Sequence, residues 1–242
     1  MEAASGNLKR LTLELGGNDA GIVLPDVDPA KVAPKLFAAC FHNNGQTCQA
    51  IKRLYVHEDV YDAVCAQMVA IANSVTVGDG LEEGIDLGPL QNEKQLNIVR
   101  ELAADARANG ATFLTGGEED GRAGFFYPPT IVTNINEGSR LVDEEQFGPI
   151  IPVIKYSSVD DAIARANASS SGLGGSIWSS DLKKASELVG RLEAGSVWVN
   201  THADIQPNAP MGGIKQSGIG CEFGHWGLAE NTNIQTIKIS KS

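Results

Sequence analysis

Apolar and polar positions along the chain follow two alternating periods, which predict strands and helices in turn. Short apolar runs of strand-like composition occupy 11–15, 21–24, 51–56, 111–114, 130–132, 150–156, 174–178, 196–200 and 232–240. Apolar residues at helical spacing lie between them, after Pro29, over 59–75, after Asn92, and over 158–168 and 181–192. This alternation predicts an α/β fold, with a mostly parallel open sheet flanked by helices and a C-terminal tail strand.

Polar and special residues predict where several helices begin and end. Asn92, followed three residues later by a glutamine, has the pattern of a capping box. Ser158 and Ser180 are predicted to cap the next two helices, and Gly195 to close the second of these. Pro34 lies inside the first helical pattern, where a proline is expected to start or kink the helix.

Composition and charge narrow the range of partners. The 242 residues are 42% hydrophobic and carry 19 Lys and Arg against 30 Asp and Glu, which gives a formal charge of −11. Such a surface repels phosphate backbones, so nucleic acid is not an expected partner. No apolar run approaches the ~20 residues that span a bilayer, and the first residues lack the apolar core of a secretory signal. We therefore expect no membrane association.

Cysteine and histidine usage points to a reducing compartment without a metal site. The four cysteines show no CxxC spacing, and the four histidines form no HExxH or HxH cluster. This pattern predicts free thiols, no bound metal and a cytoplasmic location, with an organelle as the alternative.

Two segments carry residues suited to covalent catalysis. Cys48 closes the segment NNGQTC, a polar, glycine-containing turn directly after an apolar helix, where a thiolate is accessible. Glu14 lies in LTLELGGND at the end of a strand-like run, and the carboxyl end of a strand is where α/β sheets usually hold ligands. Taken alone, the Cys48 segment is more typical of a non-catalytic cysteine, and Glu14 of a solvated edge carboxylate.

Two further segments are rich in candidate ligand groups. DEEQFGPIIPV, residues 143–153, places three acids and an aromatic residue before a strand. APMGGIKQSGIG, residues 209–220, lacks the GK[ST] of a phosphate-binding loop, and no GxGxxG occurs in the chain. Neither segment identifies a ligand by itself.

The order of these motifs is specific where each alone is weak. LELGG, GQTC, EEQFGPIIPV and PMGGIKQSGIGCEFG follow one another at the spacing of the NAD(P)-dependent aldehyde dehydrogenases, which the chain resembles from about Asn7 to its end. The resemblance implies Cys48 as nucleophile and Glu14 as general base. It also implies aldehyde oxidation through a cysteine thiohemiacetal and a thioester.

The same resemblance assigns the cofactor and substrate contacts. Glu145 is expected to bind the nicotinamide ribose of NAD or NADP, and Phe147 to flank the nicotinamide ring. Leu15 and Gly16 are expected to approach that ring through their backbone. The substrate tunnel is expected to include Asn200 and Met211.

The family is about twice the length of this sequence, and the resemblance implies that different segments of the chain belong to different domains. We expect 1–16 to be the last strand of the cofactor domain, 17–216 the catalytic domain and 217–242 a tail with an oligomerisation strand. The expected partners are a small aldehyde and further copies of the chain, with only weak NAD(P) binding by this chain alone. Two alternatives stay open: a cofactor-independent esterase or thioesterase that uses Cys48 and Glu14, and a non-enzymatic oligomerising fragment.

Overall fold

The computed structural model describes residues 1–119 and 121–241 and is built around a seven-stranded sheet. In chain order its strands are β2 (Asp19–Val23), β3 (Ile51–His57), β4 (Thr112–Thr115), β5 (Thr130–Thr133), β6 (Ile150–Tyr156), β8 (Gly174–Trp178) and β9 (Ser196–Val199). Across the sheet the order is β4-β5-β6-β3-β2-β8-β9, parallel throughout except for the antiparallel edge pair β4–β5. The predicted α/β class with a mostly parallel sheet is confirmed.

Helices cover both faces of this sheet. They are α1 (Pro29–Phe41), α2 (Glu58–Ala72), α3 (Glu93–Ala108), α4 (Arg140–Asp143), α5 (Val159–Asn167), α6 (Leu182–Val189) and α7 (Gly224–Glu230). Apolar side chains of α1 and α2 form one core cluster, and those of α3, α5 and α6 form the other. With both faces covered, β2, β5 and β8 are buried at every position, as expected for central strands of a parallel sheet.

The helix starts follow local capping chemistry. Asn92 Oδ1 accepts a hydrogen bond from the Gln95 N–H at 2.9 Å, and the Ser158 side chain caps α5. The prediction for α6 was wrong: Asp181, not Ser180, accepts from the N–H of residue 184, because Ser180 Oγ is engaged with a backbone carbonyl of residue 26. That helix ends at Val189, well before Gly195.

Pro34 does not start α1, contrary to one of its two predicted effects. The helix begins at Pro29, a favoured first helical position, and Asp28 caps it by accepting from the Ala30 N–H at 3.1 Å. The assigned helix continues through Pro34 to Phe41.

Two short antiparallel ribbons lie outside the large sheet. The run predicted as a strand at 11–15 contributes only β1 (Leu13–Glu14), which pairs with β11 (Gly218–Ile219). In the second ribbon β7 (Ser171–Gly172) pairs with β10 (Ile214–Lys215). The two ribbons join the segment 209–220 to the residues just before β2 and just before β8.

The tail predicted as a strand is not one in this single chain. Residues 233–241 are assigned no regular secondary structure and are exposed. A strand needs a neighbour for its backbone N–H and C=O groups, and no described segment pairs with the tail. Among the described residues, every helix is too short or too polar to cross a bilayer.

Candidate active site

The motif residues assemble at the amino-terminal edge of the parallel sheet. Cys48 precedes β3, Glu14 precedes β2, and both Glu145 and Phe147 precede β6. Glu14 was expected at the carboxyl edge, where α/β sheets usually bind ligands, and that expectation was wrong. The reason is that β1 belongs to the small ribbon with β11 and not to the large sheet.

A tight turn after α1 presents Cys48. Asn43 and Asn44 have φ angles of 50° and 59°, and Gly45 follows with 72°. Asparagine and glycine are the residues that tolerate this left-handed region. A Cβ on Gly45 would lie 2.3 Å from the carbonyl oxygen of Gly148. The cysteine turn therefore packs directly against the loop of the segment 143–153, which carries Glu145 and Phe147.

The Cys48 thiol is partly buried among charges of both signs. Burial raises its pKa, the Lys52 ammonium and the Gln49 N–H lower it, and the charges of Asp19 and Glu14 raise it again. The net direction is upward, so at neutral pH the thiol carries its proton. Nucleophilic attack thus requires that this proton be removed.

Glu14 faces a second carboxylate. It lies opposite Gly218 across the ribbon, and both of its oxygens are shielded from solvent without a hydrogen bond of standard geometry to any described residue. Burial raises the pKa of Glu14, the charge of Glu222 raises it further, and the N–H of Gly213 offsets part of the change. Glu222 was missed from sequence because one acid in a glycine-rich loop gives no signal.

Glu145 is held against the segment that follows Glu14. Its Oε1 accepts from the Gly17 N–H at 3.1 Å and lies 3.3 Å from Lys52 Nζ. A Cβ on Gly16 would lie 2.0 Å from Glu145 Oε2, so a side chain at this position would force the carboxylate to move. The Glu145 side chain stays 30% exposed and can still meet a ligand.

Lys52 is a functional candidate that sequence inspection missed. Its Nζ donates to the carbonyl oxygens of Thr47 at 2.8 Å and Cys48 at 2.6 Å, and it lies 5.8 Å from the centre of the Phe147 ring. The only available signal was a lysine inside the strand-like run 51–56. Its side chain is 2% exposed, whereas most lysine side chains in proteins are exposed to solvent.

A buried acid–histidine pair lies beside the cysteine turn. His202 Nε2 is 3.3 Å from Asp19 Oδ2, and both side chains are fully buried. The other ring nitrogen of His202 is 2.9 Å from Ser176 Oγ, and Asp19 Oδ1 accepts from the Gly174 N–H at 3.0 Å. These two residues were also missed, because they are far apart in sequence.

Asn200 lines a cleft that reaches the cysteine turn. Its side chain donates to the Ser179 carbonyl at 2.8 Å and accepts from the Ser179 N–H at 2.9 Å, which fixes the end of β8. The cleft has a volume of about 610 Å³ and is also lined by Thr47 and Gln49, the neighbours of Cys48.

Met211 lines a different and smaller groove, of about 240 Å³. It exchanges two backbone hydrogen bonds with Glu222, at 2.9 and 2.7 Å, which places it beside the acid that acts on Glu14. The two residues assigned to one tunnel thus line separate depressions. Within residues 1–119 and 121–241, no group of three or more His, Cys, Asp or Glu side chains is arranged to hold a metal ion.

Comparison with known proteins agrees with the architecture and the motif order. The family model described as "Aldehyde dehydrogenase family" matches residues 1–237. An aldehyde dehydrogenase of Paenarthrobacter nicotinovorans is 42% identical over 236 residues, covering 98% of this chain and 52% of that protein. A phenylacetaldehyde dehydrogenase of Pseudomonas fluorescens is 41% identical over 240 residues, covering 98% and 48%.

Solved structures give the same result. An NAD+ complex of aldehyde dehydrogenase from Bacillus cereus superposes with a TM-score of 0.90 at 37% identity, covering 93% of this chain and 46% of that one. The chain belongs to the aldehyde dehydrogenase family, and it spans about half the length of the relatives it matches.

Proposed function

We propose that this chain supplies the nucleophile and the general base for oxidation of a small aldehyde to a carboxylic acid with NAD or NADP. The observation that carries the proposal is the convergence of Cys48, Glu14 and Glu145 at one edge of the sheet. Backbone contacts through Gly17 and side-chain contacts through Lys52 hold this group together. Relatives about 40% identical are named aldehyde dehydrogenases, which supports the same chemistry.

The residue types match the steps of such a reaction. The Cys48 sulfur, once deprotonated, attacks the aldehyde carbon and forms a thiohemiacetal, to whose oxyanion the Cys48 N–H donates. The nicotinamide cofactor, when bound, supplies the hydride acceptor. A thioester then remains on Cys48; Glu14 takes a proton from the water that attacks it, the carbon–sulfur bond breaks, and the acid and the Cys48 thiolate are released, after which Glu14 returns its proton to solvent.

The environment of Glu14 suits the second half of this sequence. Burial and the charge of Glu222 raise the pKa of Glu14. A carboxylate with a raised pKa is a stronger base than an ordinary one, and a general base works best when its pKa lies near the working pH. The geometry therefore favours Glu14 for water activation.

The residues present fit the ribose end of a nicotinamide cofactor. Glu145 Oε1 is engaged by Gly17 and Lys52, whereas Oε2 makes no hydrogen bond to a described residue and its side chain is 30% exposed. A carboxylate of this kind accepts hydrogen bonds from ribose hydroxyls. Phe147, at the same loop, would flank the ring.

Acylation of the cysteine tests the nucleophile directly. With p-nitrophenyl acetate, the 242-residue chain should form an acetyl thioester on Cys48, located by peptide mass spectrometry, and release p-nitrophenol. Cys48→Ala should abolish both. Cys221→Ala, at the other partly exposed cysteine, should change neither. An acetyl group on another cysteine, or unchanged turnover in Cys48→Ala, would refute the assignment.

A cofactor-independent esterase uses the same two residues and is the competing function. The arrangement around Glu145 favours the dehydrogenase, because ester cleavage needs no partly exposed carboxylate fixed on the Gly16–Gly17 backbone. Glu145→Gln separates the two functions when cleavage of p-nitrophenyl acetate is measured. A carboxylate that serves only the cofactor is not needed for ester cleavage, so cleavage should persist in the variant, and its loss would favour the esterase.

A further inference from the structure

Lys52 is a charged side chain in a position that normally excludes charge. It is the second residue of β3, is 2% exposed, and lies between two other buried residues, Ile51 and Arg53. Burying an ammonium costs several kcal/mol unless hydrogen bonds and an opposite charge compensate. All three of its polar contacts lie in the active site, and the reaction described above assigns Lys52 no chemical step.

Those contacts tie together the two halves of the site. Nζ donates to the Thr47 and Cys48 carbonyl oxygens at 2.8 and 2.6 Å, so the backbone of the nucleophile cannot shift without losing them. The same nitrogen lies 3.3 Å from Glu145 Oε1. One cation thus holds the cysteine turn and the carboxylate proposed to bind the cofactor.

We propose that Lys52 is a positioning residue for Cys48: its ammonium fixes the turn through two carbonyl oxygens and stabilises the thiolate, and Glu145 moderates that charge. The inference deepens the proposed function and rests on Cys48 as its nucleophile. Lys52 itself touches neither the aldehyde nor the departing hydride in this scheme.

The charges around the thiol predict whether each substitution raises or lowers the reactivity of Cys48. Asp19 and Glu14 oppose the thiolate, while Lys52 is the cation that favours it. Asp19 is paired with His202, and Lys52 with Glu145. Loss of the lysine charge should therefore make Cys48 less reactive, and loss of the Glu145 charge should make it more reactive, because the ammonium is then no longer neutralised.

The experiment measures alkylation of Cys48 by iodoacetamide in the full 242-residue chain across the alkaline pH range, quantified at that residue by mass spectrometry. The variants are Lys52→Met, which keeps the length of the side chain without its charge, and Glu145→Gln, which keeps its shape. Lys155→Met is the matched control. Lys155 lies in β6 and pairs with Asp62 at 3.9 Å. It is opposite Val56, near the end of β3 that is far from Lys52.

Alkylation at slightly alkaline pH should be about fivefold slower in Lys52→Met and about threefold faster in Glu145→Gln, since thiolate fraction follows nearby charge. The midpoint of the pH profile should move up in the first variant and down in the second. Lys155→Met should leave it in place. A purely structural lysine would not produce opposite shifts, so equal directions or no shift would overturn the proposal.

Circular dichroism checks that each variant is folded. If Lys52→Met fails to fold, the direction found in Glu145→Gln decides alone. Ester cleavage is recorded in parallel because it reports the proposed function separately. Opposite alkylation shifts without acylation of Cys48 would support the role of Lys52 and reject Cys48 as the nucleophile. Acylation of Cys48 without the shifts would support the nucleophile and reject the role of Lys52.

Discussion

Glu14 and Cys48 are both placed where their charged forms are disfavoured. Burial is the main cause for each, with Glu222 acting on the first and nearby carboxylates on the second. Lys52 offsets part of the effect at the cysteine. Such sites sacrifice stability for reactivity, which is a general property of catalytic groups.

Cys48 should be the most reactive of the four thiols. Cys40 and Cys65 are buried; burial raises the pKa of Cys65 to about 12 and places that of Cys40 higher still. Because burial also raises the pKa of Cys48, its labelling rate should climb through the alkaline range without a plateau near neutral pH. Limiting iodoacetamide with peptide mapping measures this. Earlier labelling of any other cysteine would contradict it.

Glu14→Gln should stabilise the fold while it slows turnover. A raised carboxyl pKa means that the folded state keeps its proton where the unfolded state has lost it, so stability falls as pH rises above the ordinary value of 4.5. At neutral pH the variant should gain about 0.5 kcal/mol, a small figure because Glu14 as a residue is only half-buried and nearby solvent screens its charge. Urea denaturation at neutral and acidic pH measures it. A gain that persists below pH 4.5 would rule out this cause.

At the scale of elements, the site is built from turns that are anchored to the sheet. Gln146, buried between Glu145 and Phe147, donates to the carbonyl oxygens of Lys52 at 3.0 Å and Ile150 at 2.9 Å. The acidic loop is thereby fixed to β3 and β6. Rigid strands and turns of this kind keep reacting groups in position.

Gly45→Ala tests the contact between the two turns. The new Cβ would lie 2.3 Å from the Gly148 carbonyl oxygen at a φ of 72°, and the expected cost is about 2–3 kcal/mol. Gly110→Ala has a similar φ of 83° with open space around it, so it should cost only about 1 kcal/mol. Urea denaturation compares the two, and equal losses would mean that the contact is unimportant. Acylation of Cys48 should slow only in Gly45→Ala.

The tail should mediate association between copies of the chain. Ile234, Ile237 and Ile239 are 94%, 77% and 86% exposed on a segment without a pairing partner among the described residues. Unpaired backbone beside apolar side chains favours strand addition. Light scattering should give a larger mass for the full chain than for one that ends at Ala229. Equal monomeric masses would refute the prediction.

At the scale of the molecule, the chain carries a net charge of −11, and the cofactor proposed for it is also an anion. Long-range repulsion disfavours a dinucleotide at low salt. In the proposed function, Glu145 and Phe147 would contact only the ribose and the ring of the cofactor. The sequence has no glycine-rich fingerprint for the pyrophosphate.

We therefore predict negligible NAD affinity and no aldehyde-dependent NADH formation by the 242-residue chain. Calorimetric titration and absorbance measure these two quantities, with p-nitrophenyl acetate cleavage as the control for an intact site. Saturable micromolar binding or steady NADH production would contradict the prediction.

Local patterns determined most of the fold in advance. The helical and strand periods of apolar residues located the large elements, because an element that buries one face repeats its apolar residues at its own period. Asn92 and Ser158 were identified as caps since a cap bonds a backbone N–H only a few residues away. The motif order likewise singled out Cys48 and Glu14 without any knowledge of distances.

Tertiary structure decided what depends on residues distant in sequence. The Gly17 N–H meets Glu145 across 128 positions, and Asp19 in β2 meets His202 in the loop after β9. Lys52 acquires its role only when the cysteine turn folds over it, and Glu14 lies at the amino edge because β1 pairs with β11. No local period encodes such contacts, since each depends on how separate elements pack. The sequence thus determined the secondary-structure elements and the candidate reactive groups. Packing determined which residues surround those groups and in which direction their pKa values shift.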